Sequence, residues 1–315
     1  MVELKHLRIF AEVAERGSFS AAAEALNYTQ PAVSQQIAAL ERATGAKLVD
    51  RMPRGVRLTD AGRALLPHAE AVLARLADAE AELESIGAMR SGRVRLASFP
   101  TGGSSLIPPA TAAFHDRYPG VELILSVADP RDGLEQLIKG QVDIALLLES
   151  GFEPQPRHEQ VERIHLLDDP MYLALPRDHP LAGKRRAKLS ELAEETWMHG
   201  SQDVCACPDG QIFLRACHTA GFEPRVALQN DDYAAIQGFV AAGVGVALIP
   251  QLALESVRED IVIRELAQPK PVRHVVAATS ADGHRSAATE AMLDILREVS
   301  AGYLSERRPR LAAVS

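Results

Sequence analysis

Hydrophobic residues change their spacing twice along this chain of 315 residues, and the two changes divide it into three zones. From residue 1 to about 58, short helical patterns precede a hairpin-like stretch, and from about 59 to 90 one alanine-rich helix is predicted. From 93 onward, strand-like runs such as VELILSV and DIALLL alternate with helical segments, which is typical of α/β domains with largely parallel sheets. The sequence therefore predicts a mainly helical head, a long linker helix and a C-terminal α/β region.

The charge and cysteine content exclude several classes of protein. The formal net charge is −8, so an anionic partner would have to bind a local basic patch and not the molecule as a whole. The N-terminus lacks the apolar core of a signal peptide, and no apolar run reaches the roughly 18 residues of a membrane span. The three cysteines, Cys205, Cys207 and Cys217, are too few for a disulfide framework, which indicates a reducing compartment. We therefore expect a cytoplasmic protein that does not associate with membranes.

The first 45 residues carry the start and stop signals of three short helices. The first, LKHLRIFAEVAER, is predicted to end at Gly17, and Ser18 or Ser20 can cap the second, AAAEALN. Thr29 is a suitable N-cap for the third helix, because Pro31 then lies in the first turn, where its missing N–H costs nothing. The pattern predicts three helices with short connections.

The third helix has two different faces. Val33, Ile37 and Leu40 recur at helical spacing and predict a buried stripe. The opposite face carries short or hydrogen-bonding side chains and one cation, namely Pro31, Ser34, Gln35, Ala38 and Arg42. Such a face fits a DNA major groove, since glutamine pairs with an adenine edge and small side chains allow close approach. The alternative is an ordinary three-helix subdomain whose polar face is only solvated.

Three arginines alternate in the hairpin-like stretch that follows the third helix. Arg51, Arg54 and Arg57 lie on RMPRGVR, around a turn at Pro53-Arg54-Gly55. A hairpin in this position would be a wing whose guanidinium groups reach the DNA backbone, where phosphate contacts supply most of the affinity. A lone arginine cluster is usually a solvated face, but its position directly after a helix-turn-helix favours DNA binding.

The segment AAAEALNYTQPAVSQQIAALERATGAKLVDRMPRGVRLTDAG resembles the winged helix-turn-helix of LysR-type transcriptional regulators. The resemblance extends in order along the whole chain and implies sequence-specific binding to double-stranded DNA at a pseudo-palindromic operator. It places the start of the third helix at the groove and Arg54 on the wing. Many family members carry arginine or lysine where this chain has Gln35, which weakens the expected electrostatic reach. The expected DNA-binding residues are Ser20, Thr29, Gln30, Pro31, Ser34, Gln35, Arg42, Arg51, Arg54 and Arg57.

The resemblance also implies a division into domains. In chain order these are a winged helix-turn-helix at 1–59, a linker and dimerisation helix at 60–90, a two-lobed, periplasmic-binding-protein-like α/β effector domain at 91–303, and a flexible tail at 304–315. The first lobe would comprise about 91–161 and 269–303 and the second about 162–268, joined by crossovers near 161–166 and 266–272.

Apolar residues of the linker helix repeat at alternating steps of four and three. This spacing, sustained over three heptads, is typical of a coiled-coil seam. Two heads held together by such a seam would read the two halves of an operator, and contacts between effector domains would extend the dimer to a tetramer. The alternative is packing of the helix on its own head, and Pro67 predicts a bend within it. The expected dimerisation residues are Leu65, Val72, Leu76, Leu83 and Ile86.

The effector site is expected between the two lobes. The strand RVRLASF leads into PTGGSSLIPP, where Ser104 and Ser105 can cap a helix whose free N–H groups favour an anion such as a ligand carboxylate. In the second lobe, SQDVCACPDG and LQNDDYAAIQGF would face the same cleft, and carboxylates there would suit a cationic or hydroxyl group. Asp231 is equally suited to cap the following helix. The expected effector-binding residues are Ser98, Pro100, Thr101, Gly102, Ser104, Asp129, Ser201, Gln202 and Asp231.

Other classes of protein lack support in the sequence. No G-x-S-x-G, P-loop or H-E-x-x-H motif occurs, and the ten histidines show no ligand spacing with acidic partners, so neither a catalytic nor a metal site is expected. Cys205 and Cys207 leave open a regulator that senses oxidants or metal, and an α/β enzyme or solute-binding protein is the remote alternative. We expect a regulator without a resident cofactor that responds to a small-molecule effector, with RNA polymerase as a further partner.

Overall fold

Three short helices and a two-stranded hairpin form the N-terminal head. The computed structural model describes residues 1–52, 55–85, 92–151, 160–199, 208–230, 232–267, 269–281 and 285–306. In the head and linker the elements are α1 Leu4–Arg16, α2 Phe19–Ala25, α3 Gln30–Thr44, β1 Val49–Met52, β2 Gly55–Leu58 and the long helix α4 Asp60–Ser85. The strands β1 and β2 pair antiparallel, as expected for a wing.

The caps of the head helices follow the signals in the sequence. α1 ends at Gly17, whose φ of 61° is left-handed, a conformation that glycine adopts without strain. Ser18, and not Ser20, caps α2, and its hydroxyl oxygen accepts a backbone N–H at 3.4 Å. Thr29 caps α3 in the same way, also at 3.4 Å, with Pro31 in the first turn. The predicted cap of the third helix is therefore confirmed.

Two glycines let the backbones of the head approach each other closely. A Cβ atom on Gly62 of α4 would lie 2.1 Å from the carbonyl oxygen of Leu48, which is closer than real contacts allow. A Cβ atom on Gly55, whose φ is 106°, would lie 2.6 Å from the carbonyl oxygen of Gly17. These contacts hold the wing and the linker helix against the three-helix core, which contains the predicted buried stripe of Val33, Ile37 and Leu40.

The linker helix α4 is continuous through Pro67, but its expected seam divides into two parts. Leu65 and Ala69 pack against the core of the head, so packing on the chain's own head holds for the first turns. Val72 and Leu76, one and two turns later, are 44 % and 39 % exposed. The side chain of Leu83 and the whole of Ile86 lie outside the described residues.

The C-terminal region consists of alternating strands and helices. The strands are β3 Arg93–Ser98, β4 Glu122–Val127, β5 Ile144–Glu149, β6 Val161–Pro176, β7 Arg186–Ala187, β8 Thr196–His199, β9 Arg225–Gln229, β10 Val246–Pro250, β11 Ile261–Leu266 and β12 Val272–Ser280. The α-helices are α5 Pro100–Ser105, α6 Ile107–Arg117, α7 Pro130–Ile138, α8 Pro208–Thr219, α9 Tyr233–Ala241 and α10 Ala287–Glu306. Two short 3-10 helices span Leu189–Leu192 and Gln251–Glu255.

The strands form two lobes that share the long strand β6. Their order is β4-β3-β5-β12-β6-β10-β8-β9, and β11 also pairs with β6. The outer strands of each lobe are parallel, whereas β6 and β12 run antiparallel to their neighbours, so the sheets are mixed and not largely parallel. β6 pairs with β12 as far as Pro170 and with β10 from Met171, which places the change of lobe later than the expected residue 162.

Each lobe has an apolar core of its own. In the first lobe Phe114 and Ile144 are fully or almost fully buried, and in the second Trp197 and Phe213 pack together with ring centroids 5.3 Å apart. No helix within the described parts of the chain has both the length and the apolar composition needed to cross a membrane.

Candidate DNA-binding and effector sites

The start of α3 presents a polar surface to solvent. Gln30, Pro31 and Gln35 are exposed and Ser34 is half-buried, whereas the apolar stripe of the same helix packs inward. The adjoining residues Ser20 and Thr29 are exposed as well. Arg42 is exposed, and its Nε atom donates to the carbonyl oxygen of Ala38 at 3.2 Å within the same helix. The helix therefore offers short hydrogen-bonding groups first and a cation near its end, the arrangement that base-edge and phosphate contacts require.

The wing contributes one arginine whose surroundings the structure describes. Arg57 is exposed, and its Nη2 atom lies 3.9 Å from Oδ2 of Asp50. Asp50 is bonded more closely to Lys47, at 2.8 Å, and this hydrogen bond lowers the pKa of the Asp50 carboxyl. The longer contact leaves the Arg57 guanidinium available to a phosphate. Arg54 and the side chain of Arg51 lie outside the described residues.

A cavity of about 720 Å³ lies between the two lobes. Three of the expected effector residues, Pro100, Thr101 and Ser104, line it from the first lobe. The residues that line it from the second lobe are mostly polar and include Asn230, Asp232, Tyr233, Gln237, Glu255 and Ser256. Among the described lining residues the ionisable carboxyl groups, those of Asp232 and Glu255, are not accompanied by any lysine or arginine.

The other expected effector residues lie elsewhere or are not described. Ser98 is buried, and its hydroxyl donates to the carbonyl oxygen of Phe99 at 3.1 Å. Gly102 is a packing position, because a Cβ atom there would lie 2.8 Å from Oγ of Ser98. Asp129 is exposed at the start of α7 and is not among the lining residues of the cavity. Ser201, Gln202 and Asp231 lie outside the described residues.

Two predicted helix caps in this region are wrong. α5 begins at Pro100, so Ser104 and Ser105 lie at its end and cannot cap it; their hydroxyls donate to the carbonyl oxygens of Thr101 and Leu252, at 3.2 and 2.6 Å. The cap of α9 is Asp232, whose Oδ1 atom accepts the N–H of Ala234 at 2.8 Å, and not Asp231. The physical reason at α5 is Pro100, which favours the first turn of a helix, so the helix begins before the two serines.

A buried ionic cluster joins the lobes next to this cavity. Arg273 of β12 is 1 % exposed and donates to Oδ2 of Asp169 at 2.7 Å, to Oδ2 of Asp209 at 3.0 Å and to Oγ1 of Thr101 at 2.7 Å. Tyr233 donates its hydroxyl to Oδ2 of Asp209 at 2.9 Å. Thr101 belongs to the first lobe, Asp209 and Tyr233 to the second, and the Asp169–Arg273 pair to the strands between them. One cation therefore connects both lobes.

The cluster holds two carboxylates against one guanidinium. Burial raises the pKa of Asp169, although Arg273 works in the opposite direction. Burial also works against the charge of Arg273, but the carboxylates of Asp209 and Asp169 outweigh it and raise the pKa of the guanidinium. Sequence reasoning missed this cluster. The available signal was a charged residue beside each of two apolar runs. These residues are Asp169 in DDPMYLALP and Arg273 in VRHVVAAT.

Two further side-chain environments bear on the sequence predictions. The sequence spacing of the histidines indicated no ligand set with acidic partners, but in the fold His165 and His274 both contact Asp168. Cys217 is buried, which raises the pKa of its thiol to about 12 and makes it unreactive at neutral pH. Cys205 and Cys207 lie outside the described residues.

The chain is similar to known regulators over most of its length. Residues 4–63 match the family described as bacterial regulatory helix-turn-helix protein, lysR family, and residues 87–301 match the LysR substrate binding domain. A probable hydrogen peroxide-inducible genes activator of Mycobacterium avium is 36 % identical over 85 % of each chain. The RuBisCO operon transcriptional regulator of Allochromatium vinosum is 32 % identical over 81 % of each chain.

A solved structure agrees with the fold. Full-length CbnR in complex with its target DNA has a TM-score of 0.70 and 24 % sequence identity, covering 95 % of this chain and 100 % of that chain. The present chain belongs to the LysR family of transcriptional regulators. It is a DNA-binding regulator with a two-lobed effector-binding domain and not an enzyme.

Proposed function

We propose that this LysR-family regulator reads its operator with the exposed start of α3 and holds the DNA backbone with its wing. The observation that carries the proposal is the polar face of α3, where Gln30 and Gln35 are exposed over an apolar stripe that anchors the helix to the head. Glutamine can bond two atoms of an adenine edge, and Ser34 can bond several bases. Because Gln35 replaces the cation that many family members carry, affinity depends more on the wing and on pairing of two heads.

Base-pair scanning of the operator tests this assignment. Gln30→Ala and Ser34→Ala are each expected to weaken operator binding by about 1–3 kcal/mol. The size of the loss should depend on the identity of the particular base pairs that each side chain contacts. Gln36→Ala is the matched control, because Gln36 is turned by about 100° around the helix from Gln35 and is half-buried. Uniform loss across all operator sequences, or an equal effect of Gln36→Ala, would show that α3 does not read bases as proposed.

The inter-lobe cavity is the proposed effector site, and its lining favours a ligand with hydroxyl or amino groups. The carboxyl side chains of its described lining are those of Asp232 and Glu255, and the buried cation Arg273, which donates to the lining residue Thr101, is already bonded to three groups. A polyol or an amine satisfies such acceptors, whereas a carboxylate meets like charge.

A thermal-shift screen of the full-length protein tests the ligand class. Because a ligand that binds the native state stabilises it, polyols and amines are expected to raise the melting temperature more than mono- or dicarboxylic acids of similar size. Substitution of Ser104 by alanine is expected to reduce the shift. A panel in which only carboxylic acids stabilise the protein would contradict the proposed chemistry while leaving the site itself in place.

Self-association is proposed at two surfaces. Val72 and Leu76 on α4 would form the dimer seam. This seam is shorter than the one expected from the sequence, because Leu65 packs on the head. The edge strand β4 exposes Ile124, Leu125 and Val127, the last at 73 %, and exposed apolar edges favour pairing with another chain. The first surface would produce a dimer and the second a tetramer. The regulator would act in the cytoplasm, where a bacterial chromosome lies, and RNA polymerase would be its partner there.

Oxidant sensing is the second candidate function, and the name of the Mycobacterium avium relative favours it. It would rest on Cys205 and Cys207, because Cys217 is buried and its thiol has a raised pKa. Mass spectrometry after mild peroxide treatment, with Cys217 as the internal unreactive control, tests the idea. Unmodified Cys205 and Cys207 would remove it.

A further inference from the structure

Two histidines and one aspartate come together on the strands that connect the lobes, and we propose that they bind a divalent transition-metal ion such as Zn²⁺. The Oδ1 atom of Asp168 lies 2.9 Å from Nε2 of His165 and 2.7 Å from Nδ1 of His274. All three atoms lie within 4.8 Å of one another. Imidazole nitrogens with one carboxylate oxygen suit Zn²⁺ and its neighbours, and bonds of about 2.0–2.2 Å to a shared ion require only small side-chain shifts.

An irregularity in the strand pairing creates this cluster. The register of β6 against β12 shifts between Val275 and Val276, where β6 carries one extra residue, Leu166. Strand residues three apart normally point to opposite faces, but the extra residue places His165 and Asp168 on the same face. Bulges of this kind redirect side chains, so the backbone itself places the two side chains on one face.

The three side chains of the cluster are accessible to solvent, although the strands that carry them, β6 and β12, are paired. The side chains of His165 and Asp168 are 56 % and 59 % exposed and that of His274 is 35 % exposed, so an ion can enter from water and keep a water ligand. The carboxylate of Glu149 is a further oxygen donor, because Glu149 is paired with His274 from the opposite side of β12 and directly paired residues share a face. Its present partner is Arg163, at 2.9 Å.

The position of the cluster gives a bound ion a structural consequence. Neighbouring strand residues point to opposite faces, and Asp169 and Arg273, which adjoin Asp168 and His274, form the buried pair between the lobes. The ion would therefore fasten β6 to β12 directly behind the ionic cluster. Any change in lobe arrangement that alters the spacing of these two strands would be linked to metal occupancy.

Calorimetric titration of the full-length, untagged and metal-stripped protein with Zn²⁺ tests the proposal, with Co²⁺ absorption as a second readout. We expect saturable binding of one ion per chain and a melting temperature that rises with Zn²⁺. The double variant His165→Gln, His274→Gln should lose both effects, and Asp168→Asn should weaken them. His218→Gln is the matched control, since His218 contacts Glu223 at 2.7 Å but belongs to no cluster of three metal-ligating side chains among the described residues.

Several outcomes would overturn the proposal. They are the absence of saturable binding to the native chain, unchanged binding in the double variant, and equal loss in His218→Gln. A Co²⁺ spectrum with thiolate charge-transfer bands would assign the ion to cysteines instead. Far-ultraviolet circular dichroism of the metal-free variants separates loss of ligands from loss of fold. If the double variant unfolds, Zn²⁺ binding to Asp168→Asn becomes the deciding measurement. An unchanged affinity of Asp168→Asn for Zn²⁺ would overturn the proposal as well.

Discussion

Replacing Arg273 by methionine would leave two buried carboxylates without their cation. Arg273 is 1 % exposed and provides the guanidinium partner of Asp169 and Asp209 as well as a donor to Thr101. Methionine keeps much of the volume and removes the charge and all three hydrogen bonds. Breaking a buried ion pair from one side destabilises a protein by about 3–5 kcal/mol, because the remaining charge stays buried. For a domain of this size, that corresponds to a melting temperature lowered by roughly 6–20 °C.

The assay uses the single tryptophan of the chain. Trp197 is fully buried in the core of the second lobe, so its fluorescence follows the unfolding of the effector domain in urea. Arg258→Met is the matched control, because Arg258 makes two short bonds to Asp260, at 2.8 and 2.6 Å, on the exposed surface. Exposed pairs contribute little, so this variant should unfold with the native midpoint.

The pH dependence provides a second criterion. Burial already raises the pKa of Asp169, and loss of the guanidinium should raise it further. A carboxyl whose pKa is higher in the folded than in the unfolded chain favours folding when it is protonated, so its destabilising effect appears as the pH rises through the folded pKa. The deficit of Arg273→Met should therefore be largest at neutral pH and smaller in mild acid. A variant within about 1 kcal/mol of the native chain, or a deficit that grows on acidification, would refute the reasoning.

Single substitutions in the head, the linker and the last helix test other features. Arg57→Ala should weaken binding to all operators alike. It should also reduce the slope of log affinity against log salt concentration by roughly one, which fluorescence anisotropy at several salt concentrations would measure. Gly62→Ala should destabilise the head by about 1–3 kcal/mol, because its Cβ would meet the backbone of Leu48, whereas Gly302→Ala, in open space within α10, should stabilise slightly. Leu76→Asp should convert dimers to monomers in light scattering, and an unchanged mass would place the interface elsewhere.

The head could be predicted in detail because its signals are local. Gly17, Thr29 and Pro31 act within one helical turn, and the apolar stripe of α3 follows from its period alone. The linker helix was predictable as a helix, but its seam was not. A period of four and three does not distinguish a partner chain from the chain's own head, and Leu65 packs against the head.

The effector domain shows where sequence reasoning fails. Arg273 and Thr101 are 172 positions apart, and Arg273 and Asp169 are 104 positions apart, so no local pattern reports their contact. The histidine cluster was hidden for a different reason. A strict alternation would place His165 and Asp168 on opposite faces, and only the bulge at Leu166, which depends on the pairing with β12, brings them together. Pro100 set the start of α5, although the serines that follow appeared to be better caps.

The continuity of β6 limits how the two lobes can move. This strand has 16 residues, and apart from the bulge at Leu166 its pairing passes from β12 in the first lobe to β10 in the second at the adjacent residues Pro170 and Met171. A change in the angle between the lobes therefore has no loop in β6 to absorb it and must be distributed as additional twist along paired residues. Effector binding is then expected to act on the lobes by twisting β6 and its partners, because β6 contains no loop at which the lobes could swing. The pairing of β6 would thereby carry an effect of the ligand from one lobe to the other.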